Sequence, residues 1–111
     1  MISPLVNVNI YKIFPNKDKP LLESSLQKKI LKFCNANCIL AVKVDSTSTR
    51  GWPDLTCLLP NGVVLFVEVK IPTGVVSALQ KRMISKINSN KGTAHVVRSE
   101  KEFIDLIESK I

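Results

Sequence analysis

The segment that decides the fold is Val63-Val64-Leu65-Phe66-Val67-Glu68-Val69-Lys70, which is strongly apolar but carries two charges in its last three residues. A strand this rich in Val, Leu and Phe is predicted to be buried on both faces of a sheet. Because side chains alternate along a strand, Glu68 and Lys70 project from the same face. Burying an ionised carboxylate or ammonium group is costly unless the group is paired or coordinates a metal. The charged end of this strand is therefore a candidate functional site.

A second carboxylate is expected beside this strand. The turn Pro60-Asn61-Gly62 predicts a hairpin with a preceding strand over residues 55–59, and Asp54 comes immediately before that strand. If the two strands pair, the carboxylates of Asp54 and Glu68 could hold a hard divalent cation. The backbone carbonyl of Val69 could supply a third oxygen ligand.

Lys70 would then lie near a phosphate bound at such a cation. During hydrolysis of a phosphodiester, its side chain could orient or deprotonate the attacking water, or stabilise developing charge. The alternative is that Glu68 and Lys70 form an inert ion pair, solvated at the frayed end of a strand. The position of Asp54 at the start of the neighbouring strand favours the catalytic interpretation.

Apolar spacing and turn residues predict the other elements of an α/β fold. Helices are expected over residues 20–37, 77–90 and from 99 onward, and strands over residues 38–44, 55–59, 63–70 and 93–97. The connection between the last two strands passes through a helix, so this pair is predicted to be parallel with a right-handed crossover. The core order αβββαβ then gives a mixed central sheet flanked by helices.

The two later helices carry predicted N-terminal caps. Ser77 and Gln80 fit the capping-box pattern, and so do Ser99 and Glu102. The helix that begins at Ser77 is expected to bury one apolar face, formed by Leu79, Met83, Ile84 and Ile87.

Residues 1–19 are interpreted as an N-terminal strand or arm. Residues 5–13 alternate between apolar and polar side chains, which is typical of a half-exposed strand, and residues 15–20 have the composition of a turn or linker. Residues 20–111 are expected to form a single domain, long enough to bury a modest core.

The charge balance favours an anionic partner. The chain has 16 Lys and Arg residues against 9 Asp and Glu residues, a net charge of +7 in 111 residues. In a small domain this excess most simply indicates nucleic acid, although solubility alone is an alternative. No apolar run approaches the roughly 18 residues that a membrane span needs. The first four residues lack the basic region of a signal peptide, so we expect a cytoplasmic protein without a membrane partner.

Cysteine and histidine usage argues against a zinc site. Cys34, Cys38 and Cys57 are an odd set, and His95 is the single histidine. Zinc sites need paired Cys motifs or Cys/His clusters, and the spacing of Cys34 and Cys38 has no counterpart elsewhere. We expect all three cysteines to be reduced and mostly buried, and His95 to be structural.

The candidate site residues also resemble a known motif. Asp54 followed by Glu68-Val69-Lys70, with Pro53 in front, resembles the motif of the PD-(D/E)xK nuclease superfamily. The fuller pattern resembles the VRR-Nuc family, and within it the small stand-alone members of phages and bacteria. That pattern consists of Glu23 in a helix, Arg50-Gly51-Trp52-Pro53-Asp54, Glu68-Val69-Lys70 and Gln80. The resemblance covers about residues 22–97 and leaves those before residue 20 outside.

The resemblance implies a restriction-endonuclease-like fold and a Mg²⁺- or Mn²⁺-dependent DNA endonuclease without a small-molecule cofactor. Glu23, Asp54 and Glu68 would lie near the metal, with Glu23 acting directly or through a water. Stand-alone members are typically homodimers, and some act on four-way junctions such as Holliday junctions. The setting would be the bacterial cytoplasm or a phage-infected host cell. The N-terminal strand could extend a sheet across the two-fold axis of such a dimer.

Several of these residues have a second interpretation that the sequence leaves open. A carboxylate such as Glu23 in the first helical turn is favoured by the helix dipole alone. Gln80 could cap its helix, contact the site, or do both in different states. Trp52 could stack on a base or pack under its loop. Basic residues placed to contact phosphates are each also ordinary solvated charges; they are Lys43, Arg50, Lys81, Arg82, Lys86 and Lys91.

Two rival functions follow from the same residues. The first is a DNA-binding module with the same fold that has lost catalysis, which the intact set of two acids and a lysine argues against. The second is a small interaction protein in which the charged strand end is merely paired.

Overall fold

The computed structural model describes residues 22–45 and 47–111, in which a four-stranded sheet is flanked by three helices. The elements are α1 Glu23–Ala36, β1 Leu40–Lys43, β2 Leu55–Leu58, β3 Val64–Val69, α2 Ala78–Ser89, β4 Ala94–Val97 and α3 Glu100–Glu108. The predicted order αβββαβ with a trailing helix is confirmed. The predicted N-terminal strand, the linker and the helix start at Pro20 lie outside the described residues.

The sheet has the strand order β1-β2-β3-β4, with the first two pairs antiparallel and β3–β4 parallel as predicted. The β2–β3 hairpin closes through a turn in which Gly62 has a φ of 89° and the Asn61 side-chain oxygen accepts a hydrogen bond from Val63 N–H. The register pairs Leu55 with Val67, so Asp54 sits one position before the ladder, across from Glu68.

One face of the sheet carries the hydrophobic core. Side chains of β3 alternate, and Leu65, Val67 and Val69 are fully buried on the face that packs against α1 and α3. Phe33 of α1 and Phe103 of α3 meet there edge to face, with ring centroids 6.1 Å apart. This layer fixes the position of β3 and therefore of the charged residues at its end.

The opposite face is only partly covered, because α2 packs mainly against β4. The prediction that β3 is buried on both faces therefore holds for its second half but not for Val64, which is exposed. Leu40, Leu58 and Val64 are register partners across β1, β2 and β3, and all three are exposed. We call these three residues the apolar row.

The helix caps follow the sequence closely, with one difference. Ser77 and Gln80 form a complete capping box at α2. At α3 the Ser99 hydroxyl accepts from Glu102 N–H as predicted, but the Glu102 carboxylate accepts from Arg98 N–H and not from Ser99. The reciprocal bond of the predicted box is therefore displaced by one residue.

The apolar face predicted for α2 is narrower than expected. Ile87 is buried, Met83 and Ile84 are partly buried, and Leu79 is exposed. Leu22, which immediately precedes α1, is also exposed.

The three cysteines are free thiols; Cys34 and Cys57 are buried and Cys38 is exposed. Cys38 has a φ of 59° and follows the end of α1, where Ile39 N–H donates to the Cys34 carbonyl. This is the hydrogen bond of a Schellman helix end. None of the helices in the described part of the chain is long and apolar enough to cross a membrane.

Candidate active site

Three carboxylates from three different elements meet at the end of the sheet. Glu23 comes from the first turn of α1, Asp54 from the residue before β2, and Glu68 from β3. Each offers an oxygen that lies within 4.8 Å of those offered by the other two. Within the described residues this is the one group of three or more possible metal-ligating side chains. The structure thus brings together the three acidic residues that the sequence selected.

Asp54 is held by hydrogen bonds from both neighbouring strands. Its Oδ2 accepts from the backbone N–H of Val69 at 2.9 Å, and its carbonyl accepts from Val44 N–H at 2.8 Å. The Asp54 side chain thus accepts the hydrogen bond that a backbone carbonyl would accept if the β2–β3 pairing continued. In an antiparallel pair the N–H and C=O of one residue point to the same neighbour, so the Val69 carbonyl leaves β3 on the Asp54 side. Its role as a metal ligand stays a prediction.

Glu68 is buried, with 1% of its surface exposed, and its two oxygens differ. Oε2 accepts a hydrogen bond from Gln80 Nε2 at 2.8 Å and lies 3.6 Å from Lys70 Nζ. Oε1 is buried and accepts no hydrogen bond from any group that the structure describes. Burial and the neighbouring Asp54 raise the pKa of Glu68 from 4.5 to about 8, against the opposing effect of Lys70. The predicted Glu68–Lys70 pair exists, but it is buried and not a solvated strand end.

Gln80 performs both of its possible roles at once. Its Oε1 accepts from Ser77 N–H at 2.9 Å, which completes the capping box of α2. Its Nε2 donates to Glu68 Oε2. Since the oxygen of the amide already faces a backbone donor, the amide NH₂ is the end that faces the carboxylates. The cap therefore orients the side chain toward the site.

The loop that carries Asp54 is packed against the start of α2 through a glycine. Gly51 has a φ of 82°, and a Cβ at this position would lie 2.6 Å from the Leu79 carbonyl oxygen and 3.1 Å from Gln80 N. A side chain would thus clash with backbone as well as strain the loop. The glycine of the Gly-x-Pro-Asp sequence therefore has a physical role. It allows the loop that carries Asp54 to approach the start of α2, where Gln80 lies.

Arg98 supports the site, and sequence reasoning did not single it out. Its Nη1 donates to the carbonyl oxygens of Ile71 at 3.0 Å and Gly74 at 2.7 Å, with a longer contact to Pro72 at 3.3 Å. These carbonyls belong to the loop that leads from Lys70 to α2. Arg98 directly follows β4, whose end is level with the end of β3. Parallel strands ending at the same edge were the signal that could have identified it.

The predicted DNA-contacting residues are exposed or half-buried. Trp52 is half-buried and packs edge to face on Phe66, with ring centroids 5.6 Å apart. Lys43 is exposed and lies 3.5 Å from Asp45. The other predicted phosphate contacts are all exposed; they are Arg50, Lys81, Arg82, Lys86 and Lys91. His95 is exposed on β4, and partial burial and Lys110 lower its pKa.

The donor set fits a hard divalent cation. All three side chains offer carboxylate oxygens, which are the ligands that Mg²⁺ and Mn²⁺ prefer. A buried carboxylate oxygen without a hydrogen-bond partner is costly, and a cation at Glu68 Oε1 would remove that cost. Among the residues described above, Lys70 is the one positively charged side chain in contact with the three carboxylates.

The chain is similar to known proteins in both sequence and structure. Residues 9–101 match the family model described as the VRR-NUC domain. This match reaches further toward the N-terminus than the resemblance of the motif residues did. A solved structure described as a VRR_NUC domain is 32% identical, with a TM-score of 0.70, over 78% of this chain and 94% of that chain. No curated protein was found that matches the chain.

Proposed function

Since this chain belongs to the VRR-NUC domain family, a nuclease-type family, we propose that it is a Mg²⁺- or Mn²⁺-dependent endonuclease that hydrolyses phosphodiester bonds in DNA. The observation that carries the proposal is the convergence of Glu23, Asp54 and Glu68, with one Glu68 oxygen buried and unpartnered by the described residues. An ion pair at a frayed strand end, the inert alternative, would not bury its carboxylate.

Each side chain of the cluster has a role in this reaction. Asp54 and Glu68 bind the metal ion, and Glu23 binds it directly or through a water. When bound, the ion supplies neutralisation of the phosphate charge and a water of lowered pKa. Asp54 is held by a hydrogen bond from Val69 N–H, and Glu68 is held by burial and by a hydrogen bond from Gln80 Nε2. The ligands are therefore positioned before substrate arrives.

Lys70 and Gln80 both approach the Oε2 oxygen of Glu68. Lys70 Nζ lies 3.6 Å from Glu68 Oε2, close enough to orient the attacking water or to stabilise charge on a phosphate bound at the cluster. Gln80 donates to the same oxygen and so keeps the lone pairs of Oε1 directed at the cation position. Both residues leave Glu68 with one oxygen for the metal.

The surface around the centre supports DNA as the substrate. The net charge is +7, and α2 contributes Lys81, Arg82 and Lys86 without any acidic residue. We further propose that branched DNA, including four-way junctions, is the preferred substrate. Symmetric cutting of a junction requires two sites, and so we also propose a homodimer. The exposed apolar row and the edge position of β1 support a surface for self-association.

The decisive experiment measures cleavage of supercoiled plasmid and of synthetic junctions with Mg²⁺ or Mn²⁺. Asp54→Asn keeps an acceptor for Val69 N–H but removes the charge, so we expect a folded protein with cleavage reduced at least about 100-fold, since loss of groups that merely support a ligand already costs 10–100-fold. Lys70→Ala and Glu68→Gln are expected to be equally impaired. Asp105→Asn makes the same chemical change on the exposed face of α3 and should cleave normally.

Absence of metal-dependent cutting by the wild-type protein would contradict the endonuclease proposal. If the protein then bound DNA without metal, the catalytically inactive DNA-binding module would be the better assignment. Undiminished cutting by Asp54→Asn and Lys70→Ala would show that the reaction occurs elsewhere.

A further inference from the structure

A cavity of about 330 Å³ lies between α2 and the sheet, outside the carboxylate cluster. It is lined mainly by apolar groups, with one lysine and one asparagine among them. The lining residues are Trp52, Phe66, Met83, Lys86, Ile87, Asn90 and Gly92. None of these residues ligates the proposed metal, so the cavity is not explained by hydrolysis itself.

The cavity is formed by residues that are close neighbours, along the chain, of residues at the carboxylate cluster. Phe66 precedes Glu68 by two residues on the same face of β3, a separation of about 7 Å along a strand. Trp52 precedes Asp54 by two residues in the loop, and Met83 follows Gln80 by about one turn of α2. The cavity residues are thus two positions from Asp54 and Glu68 in the loop and in β3, and three positions from Gln80 in α2. One nucleotide of a DNA strand spans this distance.

The walls of the cavity have the chemistry of a base-binding site. Trp52 and Phe66 present aromatic surface, and Trp52 remains partly exposed beside Phe66. Aromatic rings stack on nucleobases without regard to sequence. Lys86 is exposed on the rim and gives it a positive charge, in a helix without acidic residues. An apolar interior with a cationic rim complements a base that is attached to a phosphate.

We propose that this cavity receives one unpaired nucleobase of the substrate, next to the phosphate that is cut. This inference rests on the proposed endonuclease function and specifies its substrate. A base within a duplex is stacked and paired, so its entry costs unstacking energy, and that cost is lowest for a base that is already unpaired. Flaps, bulges and junctions with unpaired bases at the branch point offer such bases, and intact duplex does not. The cavity thus supplies selectivity for branched DNA without any sequence-specific contact.

Trp52 is the single tryptophan, so intrinsic fluorescence reports on the cavity directly. The probes are a duplex with one bulged thymine, the same duplex fully paired, and the bulged duplex with an abasic site in place of the thymine, each titrated with Ca²⁺ present. We expect the bulged duplex to quench Trp52 emission by stacking. The paired and abasic duplexes should bind with little quenching. Equal quenching by all three would overturn the proposal.

A second measurement fills the cavity. Met83→Phe places a larger side chain in it, whereas Leu79→Phe makes a similar change at an exposed position of the same helix. With Mg²⁺, the ratio of kcat/KM for bulged over paired duplex should fall at least about fivefold in Met83→Phe, as expected for loss of part of one base-stacking contact. The ratio should be unchanged in Leu79→Phe. An unchanged ratio in both variants would contradict a base in the cavity.

The two proposals fail in different ways. If the wild-type protein cleaves bulged, paired and abasic DNA equally, the endonuclease proposal stands and the base site is wrong. If bulge-specific quenching occurs but no DNA is cut, the base site stands and the hydrolytic function is wrong. If DNA leaves Trp52 emission unchanged while deletion of residues 1–19 alters it, the cavity holds a segment of the chain itself, which overturns the base site.

Discussion

At the scale of single residues, the decisive feature is the difference between the two oxygens of Glu68. One is fixed by Gln80 and Lys70, and the other is buried with no partner among the residues described. Without a cation, the carboxyl avoids this cost by holding a proton, which is why its pKa is raised to about 8. In the proposed site, protonation and metal binding would therefore compete for the carboxyl group of Glu68.

This competition predicts a pH dependence of stability. Because the folded pKa lies above the ordinary value of 4.5, the protonated carboxyl stabilises the fold fully below that value, and this stabilisation is lost as pH rises through about 8. In the presence of a chelator, urea denaturation should give a lower free energy of unfolding at about pH 8.5 than at about pH 5.5, by a few kcal/mol at most. Divalent cations should restore stability more at the higher pH.

Glu68→Gln provides the control for this prediction, because an amide of the same shape does not titrate. The variant should lose most of the difference between the two pH values and should respond little to divalent cations. A wild-type free energy of unfolding that stays level, or rises, over this range would contradict a protonated Glu68 in the metal-free protein.

Substitutions of Gln80 can separate its capping of α2 from its hydrogen bond to Glu68. Gln80→Glu keeps an oxygen for Ser77 N–H but replaces the donor to Glu68 by a carboxylate oxygen, whereas Gln80→Met removes both. At about pH 6 we expect Gln80→Met to cost about 1 kcal/mol of unfolding free energy, as for loss of a cap, and Gln80→Glu to cost less because protonated Glu68 can donate to it. Cleavage should fall in both variants. Equal stability loss in the two would contradict the capping role.

The sequence singled out the candidate site residues but missed two features that support their positions. Asp54, Glu68 and Lys70 could be predicted because their charge conflicts with the burial expected of the strands that carry or adjoin them. Arg98 was missed because no local pattern links it to its three carbonyl partners in the loop after Lys70, and only its place after β4, at the edge where β3 also ends, pointed to it. The tight contact of Gly51 with α2 likewise depends on a tertiary approach that no local pattern records.

At the scale of elements, the hairpin and the crossover were predictable because turn residues and strand periodicity are local signals. The sequence-based predictions were wrong where tertiary packing determines whether a side chain is buried or which partner it contacts. Leu79 fits the apolar period of α2, but this helix packs mainly against β4 and leaves the residue exposed. Glu102 fits a capping box, but its carboxylate reaches Arg98 N–H. Periodicity predicts which element forms, and it does not predict how far the neighbouring layer extends.

The end of α1 carries strain that a substitution can remove. Cys38 has a φ of 59°, a conformation that costs little only for glycine. Cys38→Gly should raise the free energy of unfolding by about 0.5–1 kcal/mol, net of the greater freedom of glycine in the unfolded chain. Cys38→Ala removes the same thiol but keeps the strain, so it should not stabilise. Chemical denaturation of the three proteins measures this, and a destabilised Cys38→Gly would contradict it.

At the scale of the whole molecule, the two faces of the sheet differ. One is closed by α1 and α3, and the other is covered by α2 on the β4 side but leaves the apolar row exposed in the described structure. An exposed apolar patch beside an edge strand is typical of a surface that associates. The basic helix α2 and the apolar row thus occupy the same side of the sheet.

The proposed homodimer predicts the effect of a charge in the apolar row. Leu58→Lys should shift the protein from dimer to monomer in light scattering at micromolar concentration, because the lysine would be buried in the interface. Val75→Lys adds the same charge at a more exposed residue outside the row and should leave the mass unchanged. A wild-type monomer at this concentration would count against the dimer and would weaken the junction proposal.

The amide of Gln80 has a consequence for how such a protein changes over generations. The same side-chain amide caps α2 through its oxygen and holds Glu68 through its nitrogen, so selection for a well-folded chain preserves this part of the site even when activity is under no selection. Selection for folding preserves Asp54 less strongly, because the side-chain oxygen of an asparagine can also accept the hydrogen bond from Val69 N–H. An inactive descendant of this lineage should therefore show its first loss at position 54 and retain glutamine at position 80.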